Sequence, residues 1–186
     1  NDGTTFLPSI DSLTDVNGTL FLVAAAAPGA GKELWKSDGT PEGTVLVKDI
    51  RPGPDSSQPV GLTNVNGTLY FAADDIAPRT PYAGMSDELW RSDGTEAGTV
   101  KVFEQVAGSD VTLQPSAITD WHGVALFAGT DSAHGTELWR SDGTTDGTYL
   151  VSDVLPGPDS GLAGSPGIRA AIDSVYLVAR TASSPN

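Results

Sequence analysis

Glu33-Leu34-Trp35-Lys36-Ser37-Asp38-Gly39-Thr40 returns 55 residues later as Glu88-Leu89-Trp90-Arg91-Ser92-Asp93-Gly94-Thr95. It returns again after 49 more as Glu137-Leu138-Trp139-Arg140-Ser141-Asp142-Gly143-Thr144. After each octet comes a Gly-Thr pair (Gly43-Thr44, Gly98-Thr99, Gly147-Thr148) and then a short apolar run. Further on, Gly53, Gly108 and Gly157 each precede an aspartate by two positions: Asp55, Asp110 and Asp159. Self-similarity at this spacing marks a repeat architecture, in which each copy is one supersecondary unit that buries its core against its neighbours.

A second landmark precedes each octet. Asn17-Gly18-Thr19-Leu20-Phe21-Leu22-Val23 matches Asn66-Gly67-Thr68-Leu69-Tyr70-Phe71-Ala72. His122-Gly123-Val124-Ala125-Leu126-Phe127 is a looser copy, and Asp173-Ser174-Val175-Tyr176-Leu177-Val178 a fourth. Asn-Gly between apolar runs is a hairpin turn, because both residues tolerate positive φ. Asp-Gly-Thr supplies a second turn on the same grounds. Each unit therefore reads as four strands: a run such as 60–65, a second such as 68–73, the Glu-Leu-Trp segment, and a last run such as 45–50. No stretch carries helical periodicity. Leu20 and Leu22 alternate with Phe21 and Val23, so this strand is apolar on both faces and must be covered on both.

These readings give an all-β chain: a β-propeller-like arc of three and a half four-stranded units, with a β-trefoil-like fold or a sandwich as alternatives. The 186 residues form a single repeat domain with units at about 8–58, 59–114 and 115–165 and a half-unit at 166–186. The octet with its Gly-Thr sequel resembles the ELWxxDGT repeat family, tandem repeats of bacterial proteins, many of them large and expected to be exported or surface-associated. The resemblance runs from about Leu13 to Val178. It implies an extracellular or cell-surface location and assigns no catalytic residue. Two departures stand out. Val106-Ala107-Gly108-Ser109 replaces the Pro-Gly-Pro of the other copies, and the fourth unit lacks Asn-Gly and its Trp segment.

Composition narrows the function. With 10 Lys+Arg against 24 Asp+Glu the net charge is −14, which opposes nucleic acids and anionic membranes alike. No apolar run reaches the roughly 20 residues of a membrane helix. Without cysteine the chain has neither disulfides nor thiolate chemistry. It begins at Asn1 and its sole methionine is Met85, as expected of a processed or excised piece. Gly 22 and Pro 13 punctuate the chain often, as turns in a β protein require.

Asp38, Asp93 and Asp142 read as turn aspartates that bond their own backbone, since a catalytic group rarely appears in triplicate. Trp35, Trp90 and Trp139 read as wedges between units, with sugar stacking as the rival. Asn17 and Asn66 match a glycosylation sequon, but hairpin chemistry explains both. Calcium is the one cofactor the aspartate-rich turns suggest, although no calcium-loop motif is present. The residues without counterparts are the ligand candidates. They are Asp74, Asp75, Arg79, Tyr82 and Asp87 in the long second-unit loop, Trp121 beside a turn, and Asp131 and His134 in the third-unit loop, itself read as solvated. Such loops fall on one face of a repeat stack, often the binding face. The expected function is a non-enzymatic exported scaffold for a protein or carbohydrate ligand. The alternatives are a calcium-dependent adhesin or lectin, or a fragment of a propeller hydrolase. The unmatched ends of the stack predict self-association or membership of a longer ring.

Overall fold

The computed structural model describes residues 10–27, 30–75, 88–103, 113–162 and 167–180. They form β-strands without helix. The first sheet orders β1 (Asp11–Val16), β2 (Thr19–Ala25), β3 (Lys32–Ser37) and β4 (Val45–Lys48) as an antiparallel meander. The second repeats it with β5 (Val60–Val65), β6 (Thr68–Ala73), β7 (Glu88–Ser92) and β8 (Val100–Lys101). The third uses β9 (Ser116–Trp121), β10 (Val124–Asp131), β11 (Gly135–Ser141) and β12 (Tyr149–Ser152). A last sheet holds β13 (Arg169–Ala171) and β14 (Ser174–Tyr176) alone. The chain is thus all-β and built of repeated four-stranded units, as the octets predict.

The turns explain why these residues form these strands. Asn17-Gly18, Asn66-Gly67 and His122-Gly123 all have positive φ at both positions, the geometry that matches strand twist in a two-residue hairpin. The fourth hairpin departs from the sequence alignment by one residue. Its turn is Ile172-Asp173, with Ala171 paired to Ser174, so Asp173 occupies the glycine position rather than that of Asn17. Each full unit also carries an irregularity near the start of its first strand, where Ser12, Gly61 or Ala117 is left-handed. Such a bulge bends the strand and re-aims the segment before it.

Consecutive sheets stack face to face. Val16, Phe21, Leu34, Val47 and Ile50 of the first unit pack against Leu69, Phe71, Ala73 and Trp90 of the second. The next seam joins Val65, Tyr70, Leu89 and Val102 to Ala125, Phe127 and Trp139. The third joins Leu126, Ala128 and Leu138 to Leu162 and Ile168. Phe71 and Trp90 stack at 6.4 Å within the first seam. The two apolar faces of β6, and likewise of β10, therefore look into successive seams, while β2 sends Phe21 into the first.

The first strands lie side by side along the stack. β1 touches β5, β5 touches β9, and β9 touches β13. A threonine hydroxyl crosses each time: Thr14 donates to the Leu62 carbonyl, Thr63 to that of Ile118 and Thr119 to that of Ile168, at 3.0, 3.3 and 3.5 Å.

Candidate functional site

The recurrent acids are consumed by the scaffold. Asp38 Oδ1 accepts from the backbone N–H and the hydroxyl of Thr40, at 2.9 and 2.7 Å. Thr40 Oγ1 in turn accepts from the Gly43 N–H, and Ser37 Oγ lies 2.8 Å from Thr44 Oγ1. The same bonds close around Asp93 and Asp142. The threonine hydroxyl first, then its N–H, holds all three carboxyls below the usual aspartate range. A Cβ on Gly43, Gly98 or Gly147 would sit about 2 Å from the aspartate Oδ1, so the second glycine of each turn leaves space for the carboxylate.

The Glu of the octet has a different task. Glu33, buried, accepts from the backbone N–H groups of Ile50 and Ser57 and from the Ser57 hydroxyl. Glu137, fully buried, accepts from Val154 and Gly161, the positions 17 and 24 residues on in both units. The carboxylate fastens the segment that leaves the fourth strand. Burial pushes the Glu33 carboxyl up, against the pull of its Ser57 and Ile50 bonds.

The loop candidates Asp74, Asp75, Asp131 and His134 lie where the second strands of two units lead towards their third strands, whereas Trp121 ends β9. Asp74 is buried and pairs with the buried Arg51 at 3.1 Å, which ties the first unit to the second. Asp55 approaches the same guanidinium at 3.4 Å. Asp75 pairs with Lys101 at 2.9 Å, and Lys101 also reaches Glu88 at 3.4 Å and lies 6.0 Å over the Trp90 ring. Burial, and then the Asp75 charge, raise Glu88 to about 7. Arg79, Tyr82 and Asp87 lie outside the described residues.

Asp131 and His134 meet. Asp131 Oδ1 accepts the N–H groups of Ala133 and His134, and His134 Nδ1 lies 2.9 Å from Oδ2. The loop is therefore an aspartate-closed turn, with Asp131 itself 8% exposed rather than solvated. Burial opposes ionisation of Asp131, but the bonds from His134 and Ala133 prevail and lower its pKa, while the same pair raises that of His134. Trp121 is half-buried against the third seam and tilts on His122 with ring centres 5.2 Å apart. Asp75 and Asp131 hold corresponding positions where the second strands of adjacent units give way to their loops, so the candidates are spread along the stack. Among the described residues no three His, Asp or Glu come together to hold a metal ion.

Sequence reading missed a hollow of about 400 Å³ at the first seam. Val23, Pro54, Pro59 and Val60 give it apolar walls, and Lys32, ion-paired to Asp11, gives it a polar rim. Gln58, left-handed ahead of a proline, stands at its edge. The pair Gln58-Pro59 and its counterpart Gln114-Pro115 were the available clue.

No protein-family model matches the chain, and no curated protein does either. Among solved structures, it is similar to one from Bifidobacterium bifidum s17 named as a candidate exo-beta-1,3-galactanase. The identity is 14%, the TM-score 0.44, and the match covers 86% of this chain and 57% of that one. The chain thus spans little more than half the length of that protein.

Proposed function

We propose that the chain is a non-enzymatic binding scaffold, an arc of a β-propeller-like stack displayed outside a bacterial cell. The arc reading is supported by the first strands, which run side by side along one line while the fourth strands lie at the opposite edge of each sheet. One observation carries binding over chemistry. The three octet aspartates and the octet glutamates Glu33 and Glu137 are held as hydrogen-bond acceptors inside their own turns or beneath their own loops, and the third glutamate, Glu88, is paired with Lys101. An acid fixed in this way stabilises a fold, whereas a general acid needs a free oxygen facing a substrate. The ligand surface is the loop end of the stack, from the hollow at Lys32 and Gln58 to the Asp131–His134 turn, and its ligand is a protein or a carbohydrate.

The test pairs binding with turnover. The chain is immobilised and exposed to soluble polysaccharides and, separately, to extracellular proteins of the same bacterium. Retention without release of reducing ends is the expected result. Reducing-end release that His134→Ala or Asp131→Asn abolishes would overturn the scaffold reading in favour of a hydrolase.

A further inference from the structure

Two stretches of the chain are identical over five residues: Val16-Asn17-Gly18-Thr19-Leu20 and Val65-Asn66-Gly67-Thr68-Leu69. Both fold into the same hairpin turn, with φ of 54° and 82° in the first and 47° and 85° in the second. Both asparagine side chains lie along the turn of the following unit. Asn17 Nδ2 donates to the Gly67 carbonyl at 3.3 Å, and a Cβ on Gly123 would fall 3.2 Å from Asn66 Nδ2.

The two turns differ in one bond. The Gly67 N–H donates to Asn64 Oδ1 at 2.8 Å, as the Gly123 N–H does to Asp120 Oδ1 at 3.1 Å. Asn64 is held at both ends of its carboxamide, since its Nδ2 donates to the Asp15 carbonyl at 3.1 Å. The Gly18 N–H finds no acceptor among the described residues, although Asp15 stands where Asn64 does in the next unit. The acceptor belongs to the same hairpin as the glycine, so the contrast lies within each unit. The Asp-Gly pairs of the described residues are closed like the second turn. Gly39, Gly94 and Gly143 donate to the hydroxyls of Ser37, Ser92 and Ser141, each at 3.0 Å, and Gly147 donates to that of Thr144.

We infer that Asn17 is a site of spontaneous modification, deamidating to aspartate and isoaspartate, while Asn66 in the same five-residue sequence is spared. The Gly18 nitrogen gives its proton to the solvent and attacks Asn17 Cγ. A new C–N bond closes a five-membered imide, and the carboxamide nitrogen leaves as ammonia. Water then adds to one of the two imide carbonyls. One opening yields aspartate, and the other routes the main chain through the side-chain carbons as isoaspartate. One water is consumed and one ammonia released, with no change of oxidation state. At Gly67 the same proton is already donated to Asn64, and that bond must break before the nitrogen can attack. Glycine at the second position leaves the attack unhindered in both turns, so this bond sets them apart. Conversion at Asn17 also replaces the donor that reaches Gly67 with a carboxylate oxygen that cannot donate.

The whole chain is incubated in mildly alkaline buffer, and peptide mapping by mass spectrometry follows aspartate and isoaspartate at each site over time. Conversion at Asn17 should run at least about fivefold faster than at Asn66, the factor that one net hydrogen bond is worth. In urea sufficient to unfold the chain the two rates should coincide, because the sequences around them are the same. Asn64→Ala should bring Asn66 up to the rate of Asn17 in the folded chain, with circular dichroism as the check on folding. Equal rates at the two sites of the folded parent chain overturn the proposal, as does faster conversion at Asn66. A difference that persists in urea also overturns it, and so does a folded Asn64→Ala chain in which Asn66 stays slow. If Asn64→Ala fails to fold, the comparison of the parent chain with and without urea decides by itself.

Discussion

At Gly98 a single hydrogen separates a closed turn from a clash. The Asp93 carboxylate occupies the space a side chain would need, with Oδ1 2.1 Å from an added Cβ. Gly98→Ala should cost about 2 to 3 kcal/mol in chemical denaturation, against a few tenths at an ordinary exposed loop position. Titration gives a second expectation at this scale. The turn aspartates have depressed pKa values, so their contribution is complete above the ordinary value of 3.8 and is lost as the pH falls through the folded-state value. Glu88 behaves oppositely. Its carboxyl is raised from 4.5 to about 7, so the folded state loses stability as the pH climbs between those values. Glu88→Gln should flatten the stability profile over that interval, by on the order of 1 to 2 kcal/mol after allowance for solvent screening. Urea midpoints from pH 3 to 8 test both, and an unchanged slope in Glu88→Gln would refute the second. The turn role of the aspartates was legible because Asp-Gly-Thr writes its own geometry. The task of Glu33 and Glu137 was not, since their partners are backbone N–H groups 17 and 24 residues away and no side-chain pattern announces those.

At the scale of the strand and its turn, three hairpins share one backbone but not one sequence. Asn17 and Asn66 suit left-handed φ, whereas His122 holds φ 55 with a residue less fitted to it. His122→Asn should raise stability by about 0.5 kcal/mol, unless loss of the 2.8 Å contact between its Nε2 and the Ile172 carbonyl offsets the gain. Thermal unfolding of His122→Asn and His122→Ala separates the two contributions, because alanine loses both. The strand boundaries were legible wherever Asn-Gly or Asp-Gly-Thr punctuated an apolar run. The last hairpin was not: Ile172-Asp173 lacks a glycine, and alignment by apolar residues alone slid the register by one. Period-two patterns tolerate such slips in alignment more readily than folded strands do, because one step turns every side chain to the opposite face. The bulges at Ser12, Gly61 and Ala117 were equally hidden, only Gly61 being a residue that advertises left-handed geometry.

Across the whole molecule, position in the stack decides what a residue is worth. Trp90 is 5% exposed within a seam, but Trp35 occupies the same repeat position on the first unit and is only half-buried. Trp90→Ala should cost about 3 to 5 kcal/mol and Trp35→Ala well under half of that, measured by urea unfolding. Equal losses would mean that the first unit is covered as completely as the second. The octet makes both residues look alike, and sequence could not rank them because burial here is a property of the neighbour. The same limit applies to the candidate ligand residues. Asp74 stood out as an unmatched acid in a variable loop, and it proves to be half of a buried ion pair with Arg51 that joins two units. The indoles also have a consequence for observing the molecule. Trp35 stands ahead of the first seam, Trp90 lies in it, Trp139 in the second and Trp121 beside the third, each with a buried Nε1 that finds no acceptor among the described residues. Every junction in the stack therefore carries its own fluorophore in an apolar setting. Variants that keep one tryptophan at a time would show, by the reddening of its emission, the order in which the junctions come apart.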